Sequence, residues 1–319
     1  MSPPPLGFEA TYAACREGVV ACAGECDVVL ASGPDALSYL QTQCSQDLGG
    51  LGVGESAESL LLAPQGRVEA YVRVARVEQD SALVVVAAGF GDAVLERLSR
   101  FRLRVKVDLA VARWPLLALR GPKALELGGE QVAACVPRGA ALGLRWPGLV
   151  GFDLVSPEPA CPEGVPLGDH RALEAVRIES GEPVMGREIT GRTIPEEAGL
   201  VGRAVSFTKG CYPGQELVAR IDSRGRNVPR RLRGVLVPAE EGDPPAPAVR
   251  PGAALRLDGR QVGEVTSVAW SPGLGATVAL GFVRREVTPP ATVELEVPPR
   301  TPTGPAERPA EVVELPLRT

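Results

Sequence analysis

Hydrophobic positions recur along the chain at two periods, and the switches between them predict its elements. Behind a Pro34-Asp35 start, Leu37, Leu40, Cys44 and Leu48 fall three to four residues apart, which predicts an amphipathic helix over 34–48. Residues 60–62 and 68–77 alternate or run apolar around Pro64-Gln65-Gly66 and read as a hairpin, and 82–88 follows as a buried strand. The helical period returns over 92–101, with Val94, Leu95, Leu98 and Phe101 on one face, and 105–111 reads as a strand. At Trp114 the pattern restarts: a strand at 116–119, a short helix at 122–127 and a strand at 149–155. A Pro-rich loop then leads to a helix over 169–180, which Gly181 ends.

The texture changes at Arg233. After a Pro- and acid-rich stretch at 240–252 come short apolar runs at 254–257, 261–270, 277–283 and 292–297, punctuated by Gly and Pro. Short strands with frequent turns predict a small β-barrel. The Pro-rich residues 298–319 read as an extended or disordered tail. Strands and helices mix without regular alternation, so the fold class is α+β rather than a doubly wound sheet. The domains expected are 1–112, 113–232 and a barrel at 233–297. The first boundary carries no linker signal, so the first two domains are expected to interleave.

Composition narrows the function classes. The 45% hydrophobic and 23% charged residues are those of a globular chain, and the 4% aromatics offer few platforms for stacking single-stranded bases. Net charge is −5, yet 209–233 holds seven basic and two acidic residues, a local +5 and a candidate dock for a polyanion such as tRNA. Seven cysteines without a Cys-x-x-Cys pair, and a single histidine (His170), give no metal-centre pattern. Cys22 and Cys26 could share a helix face but have no matching pair, and His170 reads as a solvent-facing residue of a first helical turn. With no secretion-signal pattern and no apolar run long enough to span a bilayer, a cytoplasmic protein with free thiols and no membrane partner is expected.

Residues 206–220, Ser-Phe-Thr-Lys-Gly-Cys-Tyr-Pro-Gly-Gln-Glu-Leu-Val-Ala-Arg, carry the most chemistry. Pro213-Gly214 signals a turn and a helix is predicted from Gln215, so Cys211 would lie near a helix N-terminus and two residues from the Lys209 ammonium. Both features favour a thiolate. The alternative is a small buried cysteine in a tight turn.

Lys209-Gly210-Cys211-Tyr212, then Gly214-Gln215-Glu216, resembles the hallmark of the YgfZ branch of the glycine-cleavage T-protein (aminomethyltransferase) superfamily. The resemblance extends to Gly33-Pro34-Asp35-Ala36 with Tyr39–Gln43, to Pro64-Gln65-Gly66-Arg67, to Arg177-Ile178-Glu179-Ser180-Gly181 with 194–200, and to 263–267 and 280–283 in the barrel. It implies a three-domain ring with a site for tetrahydrofolate, or a one-carbon derivative of it, near the centre. Glu179 matches the carboxylate that accepts the paired N–H and NH₂ of a pterin and is expected to point into a cleft. Arg177 is expected to orient Glu179 or meet the folate tail, and Lys209, Tyr212 and Gln215 are expected at the cofactor site.

One departure bears on the reaction. The acidic pair of true aminomethyltransferases aligns with Ala70 and Tyr71, and Glu69, one residue off, is expected on the opposite strand face. The resemblance therefore implies a folate-binding protein that supports assembly or repair of iron–sulfur enzymes, with Cys211 as its functional thiol near the folate and iron–sulfur clients or carriers as partners. A folate-dependent aminomethyl- or methyltransferase acting on a small amine or tRNA is the alternative, and a ligand-free scaffold is the third.

Overall fold

The computed structural model describes residues 4–144, 146–239, 249–297 and 307–318. The chain opens with α1 (Phe8–Glu17), β1 (Val20–Ser32), α2 (Ala36–Gln43), β2 (Ser56–Leu62), β3 (Val68–Glu78), β4 (Ser81–Ala87), α3 (Gly91–Arg100) and β5 (Asp108–Arg120). A 3₁₀ turn leads to α4 (Gly129–Ala134), β6 (Ala140–Gly143), β7 (Gly151–Val155), α5 (His170–Glu179), α6 (Val201–Ala204) and α7 (Gln215–Ser223). The remainder is β8 (Arg230–Pro238), β9 (Ala254–Leu257), β10 (Arg260–Ser271), β11 (Ala276–Arg284), β12 (Ala291–Glu296) and β13 (Glu307–Val313).

The first seven strands form one mixed-length sheet in the order β2-β3-β4-β1-β5-β7-β6, and the last six close a barrel in the order β10-β11-β8-β13-β12-β9. The α+β class and the C-terminal barrel are as expected. The sheet has no seam at residue 112. β5 pairs with β1 without a break from Asp108 to Arg120, so Arg113 lies mid-strand and the first two expected domains share one sheet.

Residues 108–111 and 116–119 are not separate strands, as their pattern suggested, but parts of the one strand β5, and Pro115 explains the apparent break. A proline cannot donate to a ladder and is tolerated only where a neighbour is missing. β7 pairs with β5 only from Leu116 onward, so Pro115 sits one residue before the second neighbour begins. The tail is corrected in the same way. Residues 307–313 are a barrel strand, and Pro309 lies before the pairing with β8, which begins at Glu311. Residues 298–306, part of the expected tail, lie outside the described residues, as does most of the 240–252 stretch.

Helix α5 sits at the junction. It packs on α1 and on β10 and β11, and its buried Ala172, Ala175, Val176 and Ile178 join a core that includes Tyr12, Leu62, Val68, Tyr212, Leu232 and Leu280. A second core lies between the other sheet face and α2–α3, and a third fills the barrel. Among the described residues no helix is long and apolar enough to cross a membrane.

Candidate functional site

A cavity of about 350 Å³ lies against the sheet, within the usual range for small-ligand sites. Its floor is β1, β3, β4 and β5, and the segment after α5, from Glu182 to Met185, roofs it. A second cavity of about 800 Å³ continues from it past Trp146, His170, Leu173 and Val184, toward Phe8, Arg177 and Trp270. His170 is exposed at their shared rim. Cys22 and Cys26 also line the first cavity, on strand β1 rather than a helix, and the described residues contain no metal-binding cluster.

The first cavity has two polar ends. At one, Asp153 lies between Arg73 and Arg120, and Arg120 stacks on Trp146 at 4.8 Å. Burial opposes ionisation of Asp153, but the two guanidiniums outweigh it and hold the carboxyl below its ordinary range. At the other end, Glu182 Oε2 meets Arg203 Nη2 at 2.6 Å, and the Tyr71 hydroxyl lies 3.5 Å from Glu182 Oε1. Glu58 Oε2 lies 3.4 Å from Arg203 Nε. Burial is the main force on Glu182 and, with Glu58 beside it, outweighs Arg203 to push its pKa up to about 7. Sequence reasoning missed Glu182; the available signal was a carboxylate directly after the Gly181 that ends α5.

The strand position of the missing acidic pair has a local explanation. The β2–β3 ladder shifts register between Leu61 and Leu62, leaving Glu69 as an extra residue. The bulge turns Glu69 toward α3, where it meets Arg97 at 2.6 Å and lines a small cleft together with Ala70. This corrects the expectation that Glu69 faces opposite to Ala70: both leave the central cavity, and Tyr71 alone faces it.

Glu179 is also corrected. Its side chain is fully buried and lines neither central cavity. It accepts hydrogen bonds from Tyr12 (2.8 Å), from Ser271 of β10 and from Arg16 in an ion pair, while its backbone carbonyl accepts from Leu317 N at 2.7 Å. Arg318 donates to Tyr12. Glu179 is thus a clamp joining α1, α5, the barrel and the segment after β13. Its sequence position at the end of a helix did not reveal which way it turns. Arg177 is buried too. It does not reach Glu179; it holds Glu174, approaches Glu188 at 3.4 Å and donates to the Glu182 carbonyl, and it contributes to the wall of the larger cavity.

The Lys209–Glu216 motif lies outside both cavities. The Lys209 ammonium donates to the carbonyls of Gln41, Cys44 (2.6 Å) and Gln46 (3.1 Å), capping the C-terminus of α2. α2 ends at Gln43, short of the expected residue 48, and Cys44 is already extended. These contacts direct the Lys209 charge to carbonyls rather than to the thiol, and burial lowers the Lys209 pKa. Tyr212 is buried in the junction core, and its N–H donates to Gln215 Oε1, closing the Tyr-Pro-Gly turn. Lys209, Tyr212 and Gln215 thus hold the loop together and line neither of the two cavities. Gly214, at φ +80, packs against Leu62, Ala63 and Gly66, so the motif and the Pro64-Gln65-Gly66-Arg67 hairpin meet face to face. Cys211 is exposed at the end of this loop, four residues before α7, and is the one exposed cysteine of the seven. Burial pushes Cys15 and Cys26 up to about 12 and Cys22 and Cys44 up to about 11.

The basic stretch is largely neutralised. Arg226 pairs with Asp222, Arg230 with Glu197, Arg231 with Glu196 and Arg233 with Glu314. Arg220 and Arg224 alone of its arginines form no ion pair among the described residues.

A sheet with a ligand-sized cavity, joined through one helix to a six-stranded barrel, defines an aminomethyltransferase-like architecture. The sequence matches the GCVT N-terminal domain over residues 8–133 and the glycine cleavage T-protein C-terminal barrel domain over 230–317. With the fold, this pair of domains places the chain in the aminomethyltransferase-like superfamily. The aminomethyltransferase of Streptomyces avermitilis is 29% identical, over 91% of this chain and 83% of that protein. The aminomethyltransferase of Thermus thermophilus is also 29% identical, over 83% and 79%. An uncharacterised protein of Haemophilus influenzae is 26% identical over 61% of this chain and 65% of its own length. The crystal structure of aminomethyltransferase T of the Bartonella henselae glycine cleavage system shares the fold, with a TM-score of 0.76, 21% identity and coverage of 97% of this chain and 88% of that one.

Proposed function

We propose that this chain is a tetrahydrofolate-binding protein of the YgfZ type, which supports iron–sulfur enzymes through the Cys211 thiol. Tetrahydrofolate is the cofactor of the superfamily. The two joined cavities suit its parts: an inner cavity with apolar walls and two polar ends for the pterin, and a larger one, bordered by Phe8, Trp146 and Trp270, for the rest. The observation that carries the thiol role is the distribution of cysteines. Six are buried or half-buried, and the one exposed sits on the family loop, which also exposes Phe207. A thiol at the surface, outside the cavity, suits contact with a protein partner better than transfer from the bound cofactor. One cysteine cannot hold a cluster that takes four ligands, so client or carrier proteins supply the others. The reading sets the protein in a reducing cytoplasm, where such a thiol stays free.

Replacing Cys211 by Ser should abolish restoration of iron–sulfur enzyme activity in cells lacking the protein, with folate binding retained. Full restoration by the Ser variant removes the thiol role. The second reading is folate-dependent one-carbon transfer, and the observation that favours it is Glu182, a cavity carboxyl beside Tyr71. A tRNA substrate has less support than a small amine, because acidic partners already occupy four arginines of the basic stretch.

A further inference from the structure

We infer that Glu182, sharing one guanidinium with Glu58 and touching Tyr71, is the proton donor and acceptor of the central cavity, acting on a basic ring nitrogen of the bound ligand. The ligand's class, a reduced pterin, rests on the folate reading above. The assignment to Glu182 rests on what surrounds it.

Three side chains that line the cavity converge on its inner end: Glu58 from β2, Tyr71 from β3 and Glu182 from the segment after α5. Glu58 and Glu182 are 7% and 4% exposed, and Arg203 from α6 faces both. Two buried carboxylates against one guanidinium leave one negative charge in excess, and like charges at close range favour holding a proton between them. Among the described residues, the other charged groups facing Glu182 do not remove that excess. Arg177 of α5 contributes its charge but is committed to Glu174 and Glu188. Arg73 of β3 is committed to Asp153. A third cavity, on the other side of Glu182, is lined by Glu196, Glu197, Glu314, Arg231 and Arg233, and each of these is already in an ion pair. The upward shift of Glu182 agrees with this placement.

The chemistry is a simple proton transfer. The Glu182 O–H bond breaks as an N–H bond forms on the ligand's ring amine, whose lone pair supplies the new bond. The O–H electron pair stays on the carboxylate, which Arg203 and the Tyr71 hydroxyl already face. Relative to an acid on β3, where Ala70 and Tyr71 now stand, the proton-carrying group has moved across the cavity to its roof.

The test is calorimetric titration of tetrahydrofolate, under anaerobic conditions, in buffers of different ionisation enthalpy, into the wild type, Glu182→Gln, Glu58→Gln and Tyr71→Phe. Around pH 8 the free carboxyl is ionised and binding should take up close to one proton; around pH 6 the proton is already in place and uptake should fall toward zero. Glu182→Gln should bind without proton uptake at either pH. Tyr71→Phe should keep the uptake with a displaced midpoint. Unchanged proton uptake in Glu182→Gln overturns the inference. If the wild type binds no folate, the folate reading and the ligand half of this inference both fall. The melting temperatures of the same proteins against pH then decide whether Glu182 holds the proton. A wild-type profile that matches that of Glu182→Gln overturns that half too.

Discussion

Lys209 shows how one side chain can serve as a helix terminus. Its ammonium takes three carbonyls that α2 and the following turn would otherwise leave unpaired. Lys209→Met should cost about 1–3 kcal/mol in urea unfolding, since it strands buried acceptors, with little change in folate affinity. Glu179→Ala should cost more, about 3–5 kcal/mol, because it leaves Arg16 without its buried partner. Calorimetry should find folate affinity in that variant close to wild type; a large loss of affinity with stability intact would return Glu179 to the ligand site. At Cys211 the expected outcome is selective alkylation: one thiol reacting fast with iodoacetamide in the native protein, and none in Cys211→Ser. The motif around Cys211 was plain in the sequence, but the roles within it were not. Spacing along the chain puts Lys209 two residues from the thiol, whereas folding puts its charge at the end of a helix more than 160 residues earlier in sequence.

At the scale of elements, what the sequence made legible was periodicity, and what it hid was neighbours. The helices α3 and α5 and the four barrel strands β9–β12 followed from spacing alone. β5 and β13 were divided or missed because a proline reads as a break, although each proline lies just where the strand still has one partner. β1, which pairs on both sides and floors the cavity, was missed because Gly24 and Glu25 interrupt its apolar run. Phe101 was expected on the buried face of α3 but is 42% exposed, with the Arg97 guanidinium 4.2 Å from its ring. The contact of two loops, Gly66 against the turn at Gly214, could not be read from either loop alone. Gly66→Ala should destabilise by about 1–3 kcal/mol, since φ is +74 and a Cβ would stand 2.6 Å from Leu217 Cβ. Thermal unfolding checks this, and a variant as stable as wild type would show that α7 can move aside.

For the whole molecule, Glu182 links the cavity to pH. Its folded pKa is raised above the unfolded value, so its contribution is fully present below about 4.5 and is lost as pH rises through about 7. Glu174 has the opposite sign: Arg177 and Arg187 outweigh burial and lower it to about 2, so its contribution persists above 4.5 and is lost on acidification toward 2. Across the upper of these two transitions the wild type should melt lower at pH 8 than at pH 5.5 by about 3 °C, and Glu182→Gln should flatten that slope.

The clamp at Glu179 also sets an order on folding. It gathers groups from residues 12, 16, 271 and 317, and Arg318 reaches Tyr12 across 306 residues of sequence. Contacts so distant along the chain form late, because the loop they close must first be drawn together. During synthesis on the ribosome, the sheet can assemble while the barrel is still being made. The buried Glu179 cannot acquire its full set of partners until residue 317 has emerged. Until then the nascent chain carries an open seam between its two halves, and that interval is when it most needs protection from aggregation.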